Sequence, residues 1–147
     1  TFAARLDGSA EIAAEDLETY RLGAERLPFW RDYFTFLYGL PMKLRDPGTR
    51  LDPDVARVDF EGRDVYALRV TYAPEVGKDI WYFYFDPATS ALVGCRFFHD
   101  ESKNDGEFLV FEGEVAGPHG VRLPKARHWY VNKDREFLAT DDVVAVR

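Results

Sequence analysis

Two patterns of apolar and polar positions divide the chain near Leu51. Before that residue, apolar side chains recur at helical spacing, which predicts helices. After it, they alternate with polar side chains in short runs separated by turn-forming segments, which predicts strands. The pattern therefore predicts an α+β fold in which N-terminal helices precede a larger β region.

The N-terminal region contains two predicted helices. The residues before them alternate weakly in polarity, which predicts part of a strand, at Phe2, Ala4 and Leu6. The first helix covers AAEDLETYRLGAERL, whose apolar positions on one face are Leu17, Tyr20, Ala24 and Leu27. The second covers Pro28 to Tyr38, because Pro is tolerated in a first turn and Gly39 with Pro41 provides a stop. Its apolar side chains cover more than one face, so we expect the sheet to cover it or the helix to cover something else.

The region after Leu51 is typical of an antiparallel meander. Two alternating segments flank the turn EGRD, and the next segment, IWYFYF, is continuously apolar, which predicts that both of its faces are covered. Further strand-like segments follow, separated by DESKNDGE, AGPHG and NKDR; they are LVGCRFFH, FLVFEGEV, VRLPKARHWYV and EFLAT. We therefore expect one curved antiparallel sheet.

The loops suggest a strand register, which we state as a hypothesis because a slip of one residue reverses every face. Pairing across DESKNDGE places His99 opposite Phe108, and pairing across AGPHG places Phe108 opposite His128. One face then carries these three side chains. The other face interleaves three cations with aromatic and apolar residues; the cations are Arg96, Lys125 and Arg127.

Composition narrows the classes of partner. Apolar residues make up 46% of the 147 residues and aromatic residues 16%, so a core or an apolar groove is well supplied. The net charge of −7 argues against nucleic acid as a partner. No apolar stretch reaches the roughly 20 residues that span a bilayer. We expect a single domain over residues 1–147, trimmed at its N-terminus because it begins at Thr1 rather than Met.

Two groups of strand residues and one group on the second helix are candidates for ligand binding. An aromatic series on the strands could line an apolar cavity, or form ordinary core beneath the helices; it comprises Trp81, Phe83, Phe85, Phe111 and Trp129. Arg96 and Arg127, with Lys125, could meet an anionic head group, or lie on the solvated face of a one-sided sheet. The second helix would act as a lid over such a cavity, with inward side chains Trp30, Phe34 and Leu37.

Catalytic and metal sites have weaker support. His99, His128, Asp100 and Glu107 carry suitable ligand types for a metal-dependent hydrolase, but solvated loop acids explain them as well. Cys95 lies within a strand segment, which predicts a small buried thiol rather than a nucleophile. No phosphate-binding, dinucleotide-binding or nucleophile motif is present, so we expect neither an enzyme nor a cofactor.

Three segments carry a resemblance to a known family: FLYGLPMKLRDPGT, WYFYFDPATSALVGCRFFHDESKNDGEFLVFEGEV and GVRLPKARHWYVNKD. They resemble an uncharacterised bacterial family of the outer-membrane lipoprotein carrier (LolA-like) superfamily. The resemblance covers most of the chain from about Leu17. It implies a half-open antiparallel β-barrel whose concave apolar face is covered by N-terminal helices, a hydrophobic ligand such as a lipid, and a periplasmic or outer-membrane location.

The leading hypothesis is a non-enzymatic envelope domain that binds a hydrophobic or amphiphilic molecule, such as a lipid or a lipoprotein acyl chain, in the concave face of the sheet. One alternative is a protein–protein interaction module with a filled core, whose partner could be an envelope protein. A further alternative is the metal-dependent hydrolase around His99 and His128. The first requires a cavity of a few hundred Å³, and the last requires its side chains to converge on one point.

Overall fold

The computed structural model describes residues 3–144. The chain divides into two compact units, Thr1–Lys43 and Leu44–Arg147. The first unit contains the helices α1 (Ala14–Thr19) and α2 (Leu27–Gly39). The second contains the sheet, and short 3₁₀ turns occur at Met42–Arg45, Glu101–Lys103 and Pro118–Gly120.

Helix α1 ends earlier than the apolar spacing predicts. The helix closes with Arg21 in the left-handed conformation, at a φ of 53°. The amide of Leu22 donates to the carbonyl of Leu17 (2.9 Å) and the amide of Arg21 to that of Glu18 (3.2 Å). This is the hydrogen-bond pattern of a Schellman motif, which usually has Gly at the left-handed position. The prediction that this helix continues to Leu27 was wrong, because Arg21 adopts the left-handed conformation that ends it.

The predicted N-terminal strand is also wrong as far as the structure describes it. Residues 1 and 2, including Phe2, lie outside the described residues. From residue 3 to α1, the pairing consists of an isolated bridge between Leu6 and Ser9, closed over a tight turn with Asp7 and Gly8 at positive φ. A two-residue turn that pairs the segment with itself leaves no strand to join a sheet.

The second unit is an antiparallel sheet of eight strands. The strands are β1 (Thr49–Leu51), β2 (Ala56–Phe60), β3 (Arg63–Tyr72), β4 (Ile80–Phe85), β5 (Leu92–Phe98), β6 (Glu107–Ala116), β7 (Arg122–Val131) and β8 (Phe137–Asp142). From β3 to β8 each strand pairs with the next, so the predicted meander is confirmed. Strands β1 and β2 both pair with β3 and are separated by a break around Pro53.

Strand β4 lies inside the sheet with both faces covered, as its continuous apolar pattern predicts. Trp81, Phe83 and Tyr84 are all buried, although they point to opposite faces. Parity along the paired strands assigns each residue to a face. Tyr84 shares its face with Ala67 of β3, while Phe83 shares the other with Leu68.

The predicted register across the β5–β6 loop is wrong by three residues, which reverses the face of every β5 residue. Arg96, not His99, stands opposite Phe108. The Oδ1 atom of Asp105 accepts from the amides of His99 (2.9 Å) and Asp100 (2.8 Å), which ends β5 before His99. Gly106 closes the loop at a φ of 78°, where a Cβ would lie 2.3 Å from a backbone oxygen.

The β6–β7 register differs from the prediction by two residues, which preserves the faces. His128 stands opposite Val110 rather than Phe108. Phe108 and His128 therefore share a face as predicted, and Arg96 joins them. The predicted group of three cations on one face is wrong, because Arg96 lies on the face opposite to Arg127.

The sheet curls strongly toward one of its faces. Four strand spacings separate β2 from β6, about 19 Å in a flat sheet. Yet the rings of Phe60 and Phe108, on these two strands, have centroids 6.2 Å apart. We call the concave face, which carries Phe60, Tyr84 and Phe108, the inner face. The opposite face, which carries Phe83 and Arg127, is the outer face.

Candidate functional site

A pocket of about 580 Å³ opens on the inner face. It is lined by side chains of β2 to β5 and of the adjoining loops: Asp52, Asp54, Ala56, Val58, Asp59, Phe60, Glu61, Ala67, Arg69, Tyr82, Tyr84, Arg96, Phe98, Glu101 and Arg135. The volume falls within the range of small-molecule sites. The lining combines an apolar and aromatic surface with charged groups, as a site for an amphiphilic molecule requires.

Stacked aromatic rings lie next to this pocket on the inner face. The ring of Phe60 stacks on Tyr84 with centroids 3.9 Å apart, and Tyr130 stacks on Phe108 at 5.0 Å. Gly94 makes the approach of Phe60 possible, since a Cβ there would lie 2.4 Å from the Phe60 ring. The rings belong to a buried cluster that also holds Val65 and Ala67. The inner face is thus partly filled by its own side chains and partly open.

One part of the pocket wall is a polar network across three elements. The guanidinium of Arg69 on β3 lies 3.6 Å from Oε2 of Glu101, in the β5–β6 loop. The hydroxyl of Tyr82 on β4 donates to Oε1 of the same carboxylate. Burial, followed by this hydrogen bond, raises the pKa of Tyr82. The charge of Arg69 is therefore already partly balanced by the protein.

A second ion pair closes the curl between two hairpin turns. Arg135, in the β7–β8 turn, donates to Oε2 of Glu61, in the β2–β3 turn, at 2.6 Å. Its guanidinium also lies 5.2 Å from the ring centroid of Phe108. The hydrogen bond to Glu61 raises the pKa of Arg135. This pair joins residues 74 positions apart and holds the sheet edges together over the inner face.

Arg96 stands between these two pairs and has a different environment. Its guanidinium lies 5.0 Å from the ring centroid of Phe108, and its cross-strand neighbours are Tyr82 and Phe108. Its Nε atom is buried without a hydrogen-bond partner. In the part of the chain that the structure describes, no carboxylate forms an ion pair with it. The attraction between a cation and an aromatic ring partly offsets the hydration free energy that the cation loses on burial.

Tyr84 places a hydroxyl group next to this cation. Burial raises the pKa of Tyr84 to about 12, while the nearby Arg96 opposes that rise. The hydroxyl therefore keeps its proton at neutral pH. Tyr84 lines the pocket, so its hydroxyl is placed to donate to a bound molecule.

The structure places the sequence-predicted strand residues on two faces. Arg96 alone among them lines the pocket. The other six share the outer face: Trp81, Phe83, Phe85, Phe111, Arg127 and Trp129. Most of these side chains are buried, and Trp129 donates from Nε1 to Asp141 at 2.9 Å. These six residues lie on the face opposite to the pocket, and a role for them in ligand binding stays a prediction.

The predicted lid residues lie on α2, in the first unit. The indole nitrogen of Trp30 donates to the carbonyl of Arg21 at 2.8 Å. Its ring contacts Phe34, at 6.0 Å between centroids, and Leu37 is buried. The predicted bounds of this helix are confirmed within one residue at each end. Its action as a lid stays a prediction.

The residues of the hydrolase hypothesis do not converge. His99 bonds Asp79 (2.7 Å), whereas His128 bonds Thr140 (2.8 Å) and Glu112 (3.0 Å). Among residues 3–144, no three His, Cys, Asp or Glu side chains form a group that could hold a metal ion.

The thiol of Cys95 is fully buried, as its position within a strand predicts. Burial raises its pKa, so it stays a protonated thiol at neutral pH. The thiolate is the nucleophilic form of cysteine. A nucleophilic role for Cys95 therefore has no support in its surroundings.

Several pocket residues were not predicted from the sequence. Arg69, Tyr82 and Tyr84 lie in strands that were predicted correctly, but their face depends on the direction of the curl. Glu61 and Arg135 were assigned to turns, and only the folded sheet brings these turns together. One signal was available for Tyr82 and Tyr84, since the alternation within IWYFYF separates hydroxyl-bearing rings from Trp81, Phe83 and Phe85.

Comparison with known proteins identifies one family. The sequence profile of a family of unknown function, DUF6503, matches residues 9–145. No curated protein and no solved structure matches the chain. In residues 3–144, none of the helices has the length and hydropathy to cross a membrane.

Proposed function

The chain belongs to the DUF6503 family of unknown function, and we propose that it is a binding protein whose inner pocket holds an amphiphilic molecule. The ligand would be a lipid or a related molecule with an acyl chain, and no chemical step is assigned to the site. In keeping with the resemblance in the sequence, we propose that the protein acts in the periplasm or at the outer membrane.

One observation carries this proposal: the curled sheet leaves a pocket of about 580 Å³ beside its own aromatic core. The filled part of the inner face shows that the sheet can bury apolar side chains there, for example Phe60 and Phe108. The open part presents the same kind of surface, with Val58, Ala67 and Phe98. An acyl chain would bind in the open part through the same hydrophobic effect that buries the apolar side chains in the filled part.

The driving force is large enough for useful affinity. Transfer of apolar surface from water gains about 25 cal/mol per Å². A chain segment that buries about 200 Å² would gain about 5 kcal/mol, before the cost of its own ordering. The polar groups along the wall would hold the other end of the molecule toward solvent.

Two measurements test the proposal. Solvent extraction of the purified protein, followed by mass spectrometry, should find a co-purified amphiphile. Titration with N-phenyl-1-naphthylamine should show saturable fluorescence enhancement in the extracted protein, since this dye fluoresces strongly in apolar sites. Absence of both signals would reject the proposal.

A variant that fills the pocket localises the signal. Ala56 lines the pocket and is exposed at the start of β2, so Ala56→Trp should occupy the opening without disturbing the core. We expect dye binding to fall about tenfold. The matched control is Ala116→Trp, at an exposed strand end outside the pocket. An equal loss of dye binding in both variants would show that the dye binds the protein surface in general rather than this pocket.

A second candidate function is an interaction module that uses the edge of the sheet. Strand β8 ends the strand order and exposes Phe137 (55%) and Leu138 (45%). A partner protein could add an extended strand to this edge and cover both side chains. A photo-crosslinking residue at position 138 should then capture one defined partner, while the same residue at the exposed position 57 should not.

A further inference from the structure

We infer that the polar end of the bound molecule is an anion, a carboxylate or phosphate, which pairs with Arg96 inside the inner pocket. The inference rests on the proposed binding function and specifies its ligand class. Arg96 combines the three properties of such a site: a position in the pocket wall, partial burial, and no acidic partner within residues 3–144.

The other cations of the pocket are already balanced. Arg69 is paired with Glu101, and Arg135 with Glu61. Arg96 and Arg135 both lie close to the ring of Phe108, at 5.0 and 5.2 Å from its centroid. Two guanidinium groups on one ring repel each other, and Glu61 offsets one of the two charges. An anion at Arg96 would offset the other.

The remaining acids of the lining do not occupy the same place. Asp52 and Asp54 lie at the break between β1 and β2, and Asp52 accepts from the Asp54 amide. Asp59 accepts from the amide of Gly62 at the β2–β3 turn. Asp54 and Asp59 are exposed and Asp52 is half-buried. Water screens charges at such a rim more than it screens a partly buried guanidinium.

The groups next to Arg96 favour an anion rather than a second cation. Its cross-strand neighbours, Tyr82 and Phe108, carry no negative charge, and the nearby Tyr84 hydroxyl is a protonated donor. A guanidinium presents parallel N–H donors that fit the two oxygens of a carboxylate or phosphate. Tyr84 would add a further donor, so the site offers hydrogen bonds that only an acceptor group can use.

The test compares three ligands with the same chain length but different head groups: decanoate, decan-1-ol and decylamine. Calorimetric titration of the extracted protein at neutral pH should show decanoate binding about tenfold or more tightly than decan-1-ol, and decylamine most weakly. Arg96→Gln should reduce decanoate affinity to that of decan-1-ol and leave decan-1-ol unchanged. Arg57→Gln, which removes an equal charge from an exposed residue of β2 outside the lining, should change neither.

The outcomes separate this inference from the proposed function. If neither decanoate nor decylphosphonate binds the unmodified protein more tightly than decan-1-ol, the anion assignment is overturned while the pocket remains a binding site. Tighter binding of decylamine than of decanoate would overturn the anion assignment and would place the head group near the acids Asp52, Asp54 and Asp59. Absence of binding by all three ligands would reject the proposed function itself. The comparison of head groups needs no variant, so a failure of Arg96→Gln to fold does not remove the test. Decylphosphonate binding in place of decanoate would identify phosphate as the anion and support the inference.

Discussion

Phe60 and Phe108 lie four strands apart in the sheet order, yet their rings meet edge to face with centroids 6.2 Å apart. This contact exists because the sheet curls toward its inner face. Phe60 is 4% exposed and Phe108 is fully buried. The pair therefore ties the edge of the sheet to its centre, and the pocket lies beside it.

The first prediction concerns this contact. Phe60→Ala should lower the free energy of unfolding by about 3–5 kcal/mol, because it leaves a cavity in the inner core. Urea denaturation measures the change. Phe137→Ala, at a ring that is 55% exposed on β8, should cost about 1 kcal/mol or less. Similar losses in the two variants would contradict the view that the curl is held from the inner face.

The second prediction concerns the glycine that admits the Phe60 ring. Gly94→Ala should destabilise the fold by about 1–3 kcal/mol, since its Cβ would lie 2.4 Å from the Phe60 ring and 2.6 Å from the carbonyl oxygen of Leu109. Gly77→Ala is the control, because the nearest atom to its Cβ would be 3.7 Å away. Thermal unfolding of both variants checks this. An unchanged melting temperature for Gly94→Ala would refute the close approach.

The third prediction separates two tyrosine hydroxyls of the pocket. Tyr84→Phe should keep the stacking on Phe60 and change stability by less than about 1 kcal/mol, while weakening decanoate binding about threefold or more. Tyr82→Phe should leave the head-group preference unchanged, because the Tyr82 hydroxyl already donates to Glu101. Calorimetry on the two variants provides the comparison. A larger effect from Tyr82→Phe would place the head group elsewhere in the pocket.

The fourth prediction concerns pH. Partial burial raises the pKa of Glu107 above its ordinary value, against the opposing charge of His99. A raised carboxyl pKa means that the folded state prefers the protonated form. The stability linked to this group is therefore present in acid and is lost as the pH rises through the folded-state pKa.

Glu107→Gln removes that dependence. We expect the variant to be more stable than the parent at pH 7, with the advantage disappearing as the pH falls below the ordinary carboxyl pKa of about 4.3. Urea denaturation across this range measures the difference. Glu136→Gln, at an exposed position in the β7–β8 turn, serves as the matched control. An advantage that grows in acid would have the opposite sign and contradict the assignment.

The sequence by itself determined the local elements. Alternation in β2 and β3, the continuous run of β4 and the turn segments after it predicted the meander, because side-chain period and turn chemistry are local properties. The buried thiol of Cys95 followed from the same pattern. The end of α1 was missed because Arg21, not Gly, occupies the left-handed position that stops it.

The tertiary structure alone decided the face of each strand and the direction of the curl. The carboxylate of Asp105 ends β5 before His99, and a shift of three residues moves Arg96 to the opposite face. The meeting of Glu61 with Arg135 joins turns 74 residues apart, which no local pattern encodes. Apolar periodicity specifies that a face is buried, but not which face becomes concave, because both faces of β4 carry aromatic rings. Curvature is a property of the whole sheet, and it placed the pocket opposite to most of the aromatic residues that the sequence favoured.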